Sequence, residues 1–272
     1  MKTALVTGVT GFIGVHLANA LVERGYKVVG IDKALNNCKY LKPDVNLILS
    51  DIRRIEFIKQ YDVVYHLAAL RSVTESFVVP EEYISTNVWG TYNVLKCFSG
   101  SRVVFSSSSA AAESKSVYGV TKRSAEHLVN LHRNAVSIRF MNVFGEYQTD
   151  MAMAVPSFSY AIKHEKKAII FGDGSVTRDY VYVLDLVDEM IRIGESRIKG
   201  QTEIGYGNPV TVMELYSFLA RTAKRKPNFK MGPARKEDVK YTCSKFKMKE
   251  PKYGFQEGIR RTLRWYLEEG SF

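Results

Sequence analysis

A tyrosine and a lysine four residues apart, Tyr118 and Lys122 in "YGVTK", stand just beyond a serine run, "FSSSSAAAES". On a helix, residues at that spacing share a face, so the phenol and the ammonium would lie side by side. A free tyrosine has a pKa of about 10, and a neighbouring cation favours the phenolate, making it a usable base near neutral pH. A serine hydroxyl can then bind the reacting oxygen of a substrate. A solvated helix surface presents the same pair, so its meaning depends on the elements around it.

The second chemical feature is "LVTGVTGFIGVHLA", Leu5 to Ala18, in which Gly8, Gly11 and Gly14 are three apart. The stretch joins an apolar strand pattern to a helix pattern that begins near Phe12. In that setting glycine lets the chain turn sharply and lets a pyrophosphate approach the helix N-terminus, where free N–H groups and the helix dipole favour an anion. The next strand pattern ends in Asp32, 24 residues after Gly8. A carboxylate there can accept hydrogen bonds from an adenosine ribose and repels a 2′-phosphate, which favours NAD over NADP. Lys33 follows and weakens that exclusion, and an aspartate in this place can equally be a cap.

The elements that would position these groups alternate. "KTALVT", "YKVVGID", "VNLIL", "YDVVYHLAA", "SRVVFSS" and "AVSIRF" read as six strands, too continuously apolar for a one-sided sheet. Helix patterns lie between most of them, the clearest over Phe12 to Arg24, Glu81 to Phe98 and Tyr118 to Arg133. The alternation predicts an α/β fold, a doubly wound parallel sheet with helices on both faces, whose ligands bind at the carboxyl ends of the strands. Beyond Phe144 it breaks down. Helices are expected near Val155 to Lys163, Val212 to Lys224 and Glu257 to Glu268, and short strands near Ala168 to Phe171 and Gln201 to Ile204.

At 272 residues, with 46% hydrophobic and 25% charged residues, the chain reads as a soluble globular protein with a sizeable core. "MKTALVTG" runs straight into a strand pattern without a long apolar segment, so a cytoplasmic protein with no membrane partner is expected. Cys38, Cys97 and Cys243 are far apart, and His127 and His132 fall on different helix faces, so neither a disulfide framework nor a metal site is expected. The net charge of +11 is concentrated between Arg221 and Arg264, where fifteen Lys and Arg stand against four Asp and Glu. An anionic ligand would use that excess, and a solvated lysine-rich surface would also account for it. No aromatic-basic interleaving of the RNA-binding type is present, so a nucleic-acid partner is not expected.

Taken together, the motifs resemble those of the extended short-chain dehydrogenase/reductases that act on nucleotide sugars, above all the UDP-hexose 4-epimerases. The resemblance rests on "TGVTGFIG", "GID", "SDI", "DVVYHLAA", "SVTES", "YISTNVWGTYNVL", "FSSSSA" and "YGVTK". It continues through "RFMNVFG", "IIFGDGSVTRDYVYVLDLVDEM" and "RKEDV", and so covers nearly the whole chain. It implies a Rossmann-type NAD-binding domain over residues 1–144, rejoined by about 176–199, and a smaller α/β substrate domain over 145–272.

Residue by residue, the resemblance implies that Gly8, Gly11 and Gly14, with Phe12 and Ile13, hold the pyrophosphate of NAD. Asp32 and Lys33 would lie at the adenosine ribose, Asp51 and Ile52 at the adenine, and Leu67, Ala68, Ala69 and Ser106 along the cofactor. Lys122 would bind the nicotinamide ribose and lower the pKa of Tyr118, the catalytic base. Ser108 would be the catalytic serine, with Ser109 leaving the register open by one. Asn142 would touch the substrate, Arg178, Arg235 and Asp238 would bind its nucleotide diphosphate, and Thr242 would stand at the gate to the pocket for the carbon-2 substituent. A small gate leaves room for an acetamido group. The implied reaction oxidises the sugar 4-hydroxyl and reduces the 4-keto sugar from its other face.

Against the family's pattern, the loop before Tyr118 is shortened to "AAAESKSV", and Lys245 stands where an aspartate is common. No acidic residue directly follows Ser108, which favours epimerisation over dehydration. A nucleotide-sugar 4-reductase or dehydratase, and a non-catalytic dinucleotide-binding regulator, remain as alternatives. A homodimer through the helices of 81–98 and 118–133 is implied by the resemblance, and Val88, Trp89, Tyr92 and Leu95 would serve either a dimer face or a buried core.

Overall fold

The computed structural model describes residues 1–234 and 239–270. The chain opens with β1 (Thr3–Thr7), α1 (Phe12–Glu23), β2 (Lys27–Asp32), β3 (Asn46–Leu49) and β4 (Val63–His66). Next come α2 (Val73–Val78), α3 (Pro80–Ile84), a π-helical turn over Ser85–Trp89, and α4 (Gly90–Cys97). Then follow β5 (Arg102–Ser108), α5 (Ala110–Glu113), α6 (Val117–Asn130), β6 (Ala135–Phe140), β7 (Asn142–Phe144), α7 (Ala154–Lys163) and β8 (Ala168–Phe171). β9 (Thr177–Arg178), β10 (Tyr180–Tyr182), α8 (Val183–Glu195), β11 (Gly200–Ile204) and β12 (Val210–Thr211) precede α9 (Val212–Thr222), β13 (Phe229–Gly232), β14 (Tyr241–Thr242) and α10 (Gly254–Glu268).

Two compact units divide these elements: Met1–Phe140 with Val187–Glu203, and Met141–Leu186 with Ile204–Phe272. The first unit is built on a seven-stranded sheet in the order β11-β6-β5-β4-β1-β2-β3. From β3 through β6 every pair is parallel, as unbroken apolar strands with helical crossovers require. Successive strands step one way from β1 to β3 and the other way from β4 to β6. The reversal therefore falls between β1 and β4, where Thr7 is in register with His66, and the loops leaving these two strands diverge around a crevice.

One face of the sheet packs Leu5, Ile31, Val64 and Phe105 against Val94 and Phe98 from the helix after β4 and Ala125 and Val129 of α6. Phe98 and Phe105 are 0% and 1% exposed, and burial of such side chains contributes roughly 1.5–3 kcal/mol each. The helix expected over 81–98 is continuous from Pro80 to Cys97, but the wide turn at Ser85–Trp89 changes its phase. Its apolar residues separate: Leu95 is core, whereas Trp89 and Tyr92 are 55% and 44% exposed.

The second unit carries a parallel pair of β7 and β10, a three-stranded sheet β12-β9-β14, and a parallel pair of β8 and β13. Its core is aromatic: Phe144, Tyr182 and Phe255 meet at ring distances of 5.8 and 5.9 Å. Thr211 and Glu214 start α9 with a reciprocal capping box.

Candidate active site

The first loop of the crevice follows β1. Gly8 has φ +71°, and a Cβ there would come within 2.8 Å of the Ala68 nitrogen. Gly14 lies against the same turn so closely that a Cβ would stand 2.1 Å from the Gly8 carbonyl oxygen. Both therefore require glycine. Gly11 caps α1 with no side chain over it, and the first turn carries no acidic residue. The N–H groups of Phe12, Ile13 and Gly14 are thus left for an anion at the positive end of a 12-residue helix.

Asp32, at the end of β2, holds this loop in place. Its Oδ2 accepts from the Thr10 amide at 3.0 Å and the Thr10 hydroxyl at 2.9 Å, while Oδ1 accepts from the Ala34 amide at 3.2 Å. A carboxylate offers about four acceptor positions, so Oδ1 keeps capacity for a further donor. Asp51 caps a short 3-10 turn, Ile52–Arg54, and the Arg53 fork on both its oxygens holds its carboxyl below the usual range. The charge of Lys33 acts on Asp51 in the same direction. Ile52 is buried against Gly90, where a Cβ would come within 2.6 Å of its Cδ1.

The loop after β4 is pinned at each end. Leu67 N donates to the Thr7 carbonyl and Ala68 N to the Thr7 hydroxyl. Further along, Asn87 receives the Leu70 amide at 2.8 Å and donates back to the Leu70 carbonyl and to the Thr121 hydroxyl of α6. The Ser72 amide donates to the Tyr83 hydroxyl at 3.0 Å. Arg71 stands between these two clamped positions, and the π-helical turn is what places Asn87. Below the loop His66 is fully buried between the hydroxyls of Thr7 (Nδ1, 2.7 Å) and Thr91 (Nε2, 3.0 Å). Thr91 spends its proton on the Asn87 carbonyl, so the network assigns the imidazole proton to Nε2. Burial, and secondarily Lys122, pulls the His66 pKa down to about 3, which keeps the ring neutral.

The serines that end β5 separate by role. The Ser106 hydroxyl donates to the His66 carbonyl at 3.1 Å, and that of Ser107 to Glu126 at 2.7 Å. The Ser108 hydroxyl accepts from the Ala110 amide at 3.2 Å, and Ser108 lowers the pKa of Tyr118. Ser109 turns its amide to the Phe140 carbonyl. The shortened loop is closed by α5, by Ser114 at φ +52°, and by Ser116, whose hydroxyl accepts from the Gly119 amide and starts α6. The helix abuts α5 so tightly that a Cβ on Gly119 would come 2.6 Å from the Ala110 oxygen.

Tyr118, Lys122 and Glu126 follow one another at helical spacing along α6. Burial raises the Tyr118 pKa, opposed by Ser108 and then by the charge of Arg71. Lys122 is 3% exposed, with Nζ 4.4 Å from the Phe105 ring centroid, and burial lowers its pKa to about 7 against the pull of Glu126. Among the described residues no hydrogen bond reaches Nζ. Glu126 is 2% exposed and takes both Nε and Nη2 of Arg139 at 2.8 Å, which fastens α6 to β6. Among the described residues Ser108 and Arg71 are the groups that lower the Tyr118 pKa, while the lowering that the resemblance implies for Lys122 acts together with the positive nicotinamide. Arg71 carried no motif signal.

In the second unit Asn142, Arg178 and Thr242 gather around Asp179, a buried residue that the sequence reading passed over. The Asn142 amide donates to its carbonyl at 2.9 Å, and its own amide donates to the Thr242 carbonyl at 3.0 Å. Its carboxylate receives the amides of Tyr206, Gly207 and Ser244. Thr242 pairs with Arg178 across β14 and β9, and its hydroxyl is buried without a hydrogen-bond partner. Arg178 donates to the carbonyls of Thr177 and Val239. Arg235 and Asp238 lie outside the described residues.

Comparison with known proteins identifies the family. The model of the NAD dependent epimerase/dehydratase family matches residues 4–205. The chain belongs to that family. It is similar in structure, with a TM-score of 0.90 and 27% identity over 99% of each chain, to the UDP-N-acetylglucosamine 4-epimerase of Methanobrevibacter ruminantium in complex with UDP-N-acetylmuramic acid. It is also similar to the UDP-glucose 4-epimerase of Thermus thermophilus in complex with NAD, with a TM-score of 0.87 and 25% identity over 99% of this chain and 100% of the other. The family likeness extends to other chemistries: a UDP-N-acetyl-alpha-D-glucosaminuronate decarboxylase of Bacillus cytotoxicus is 28% identical over 98% of both chains. No helix among the described residues is long and apolar enough to cross a membrane.

Proposed function

We propose that this chain is an NAD-dependent 4-epimerase of UDP-hexoses. The observation that carries the reading is that Ser108, at the carboxyl end of β5, lowers the pKa of Tyr118, with Lys122 one helical turn along α6. The residues fit NAD on two counts: a Cβ would fill the cradle at Gly8 and Gly14, and Lys122 has a buried ammonium with no acceptor among the described residues. Gly8 to Gly14 would hold the pyrophosphate, Asp32 the adenosine ribose through Oδ1, Asp51 and Ile52 the adenine, and Lys122 the nicotinamide ribose. NAD, when bound, supplies the acceptor and donor of the hydride exchanged with sugar C4.

Tyr118 takes the proton of the 4-hydroxyl and later returns it, while Ser108 holds the same oxygen. The positive charge of Arg71 favours the phenolate form that the first step needs. Dehydration would call for an acid beside Ser108. Glu126 is committed to Arg139, and Glu113 is exposed and paired with Lys115 at 2.7 Å. In the second unit, Asn142 and Arg178 are proposed to hold the substrate and its diphosphate, together with Arg235 and Asp238, and the small Thr242 to admit N-acetyl sugars.

A homodimer is part of the proposal, supported by the exposed Ile84, Trp89 and Tyr92 beside α6, where Val120 is 48% exposed. A monomer in sedimentation at micromolar concentration would remove it. The function is tested by incubating pure protein with UDP-glucose, UDP-galactose and their N-acetyl forms and following the anomeric NMR signals. Interconversion at constant substrate mass, with no added NADH, is expected. Loss of water from the product would replace the epimerase with a dehydratase.

A further inference from the structure

At the amino ends of the same strands, Arg102, Arg133, Arg197 and Lys199 line a cavity of about 610 Å³ whose lining contains no carboxylate. Arg102 and Ser108 are the two ends of β5, so the cavity lies about 20 Å along the strand from the tyrosine-serine pair. It is a separate place in the first unit.

Arg102 is 6% exposed. Its Nη1 donates to the Asn134 side chain at 3.2 Å and its Nη2 to the carbonyls of Ile193 and Ile198, leaving Nε with no partner. Burial pulls its pKa down, and only the Tyr65 hydroxyl opposes this. Buried charges are ordinarily paired, because the desolvation of an unpaired ion costs several kcal/mol. Two acids of the neighbouring surface are hydrogen-bonded to other groups: Glu195 to Lys2 and Tyr26, and Asp62, which lines an adjoining cavity, to Thr3. Arg133, Arg197 and Lys199 are exposed, and none is in an ion pair among the described residues. Three exposed cations thus share the lining of this cavity with one buried arginine whose Nε has no partner.

We propose that this cavity is a second anion site, which binds a phosphorylated small molecule through Arg102, Arg133, Arg197 and Lys199. Four cations match the charge of a di- or triphosphate, and guanidinium forks suit phosphate oxygens. The volume falls in the range of small-ligand pockets, roughly 300–1,000 Å³, so a nucleotide fits as well as inorganic pyrophosphate.

Calorimetric titration of the intact protein and of the double variant Arg133→Glu/Arg197→Glu, with inorganic pyrophosphate and separately with ATP, tests the assignment. Neither substituted residue belongs to the catalytic machinery, and unchanged turnover and UDP affinity in the variant would report that the fold and the substrate site are intact. A pyrophosphate-binding phase in the wild type that weakens at least tenfold in the variant supports the site. ATP binding ten or more times tighter than pyrophosphate identifies the ligand as a nucleotide, and equal affinities identify the phosphate groups alone. Superimposable wild-type and variant isotherms for both ligands overturn it.

Discussion

Ser108 acts on Tyr118 across the junction of β5 and α6, ten residues along the chain, and draws its pKa down against the effect of burial. The junction is short because α5 and the left-handed Ser114 close it in one turn. A phenol whose pKa is drawn down by a neighbouring serine is suited to take a proton from a hydroxyl that the serine holds. Tyr118→Phe is therefore expected to lower kcat by at least about a hundredfold, with substrate affinity within a few-fold of wild type. Ser108→Ala should lose less, and Ser109→Ala should be near neutral. Steady-state kinetics on the three variants checks this ordering, and an inactive Ser109→Ala beside an active Ser108→Ala would reverse the register.

Lys122 sets catalysis against stability. Its folded pKa of about 7 lies below the ordinary 10.5, so between those values the unfolded chain binds a proton that the native protein does not. Stability on this account rises as pH climbs from 7 toward 10.5, and the burial penalty is full below pH 7. Lys122→Met should abolish turnover yet raise Tm, most at or below pH 7 and progressively less toward pH 10. Thermal melts across that range decide it, and a variant that melts below wild type at pH 7 would show that the ammonium is not a burden to the fold.

Arg71 is expected to tune the base. Its charge opposes the rise that burial imposes on Tyr118, so removing it raises the tyrosine pKa. The limb of the pH–rate profile that depends on the phenolate should then move to higher pH in Arg71→Met. Arg71→Lys should restore it. An unshifted profile in the Met variant would confine Arg71 to a structural or binding role.

The gate residue makes a selective prediction. Thr242→Tyr places a bulky ring where a small, buried hydroxyl now stands. Turnover of UDP-galactose should fall less than about threefold, and that of UDP-N-acetylgalactosamine by at least about tenfold, since steric exclusion of a substituent is commonly worth more than 1.4 kcal/mol. Parallel assays of both sugars measure the ratio, and equal losses would show that position 242 does not discriminate.

By itself the sequence determined the pieces whose meaning is local. The spacing of Gly8, Gly11 and Gly14 between strand and helix dictates an uncapped helix N-terminus. Tyr118 and Lys122 share a helix face wherever that helix is packed, and the unbroken apolar strands require a parallel sheet covered on both faces. Side-chain partners that lie far apart in the chain were decided only by tertiary structure. The Arg71 charge reaches Tyr118 because Asn87, set by a π-helical turn, ties the loop after β4 to α6. Glu126 meets Arg139, and Asp179 collects five backbone groups. Four cations converge at the amino ends of the strands because parallel crossovers bring back to one edge residues separated by up to 97 positions. Such contacts leave no periodicity in the sequence, since each depends on strand order and on the register of neighbouring elements, which the folded chain alone supplies.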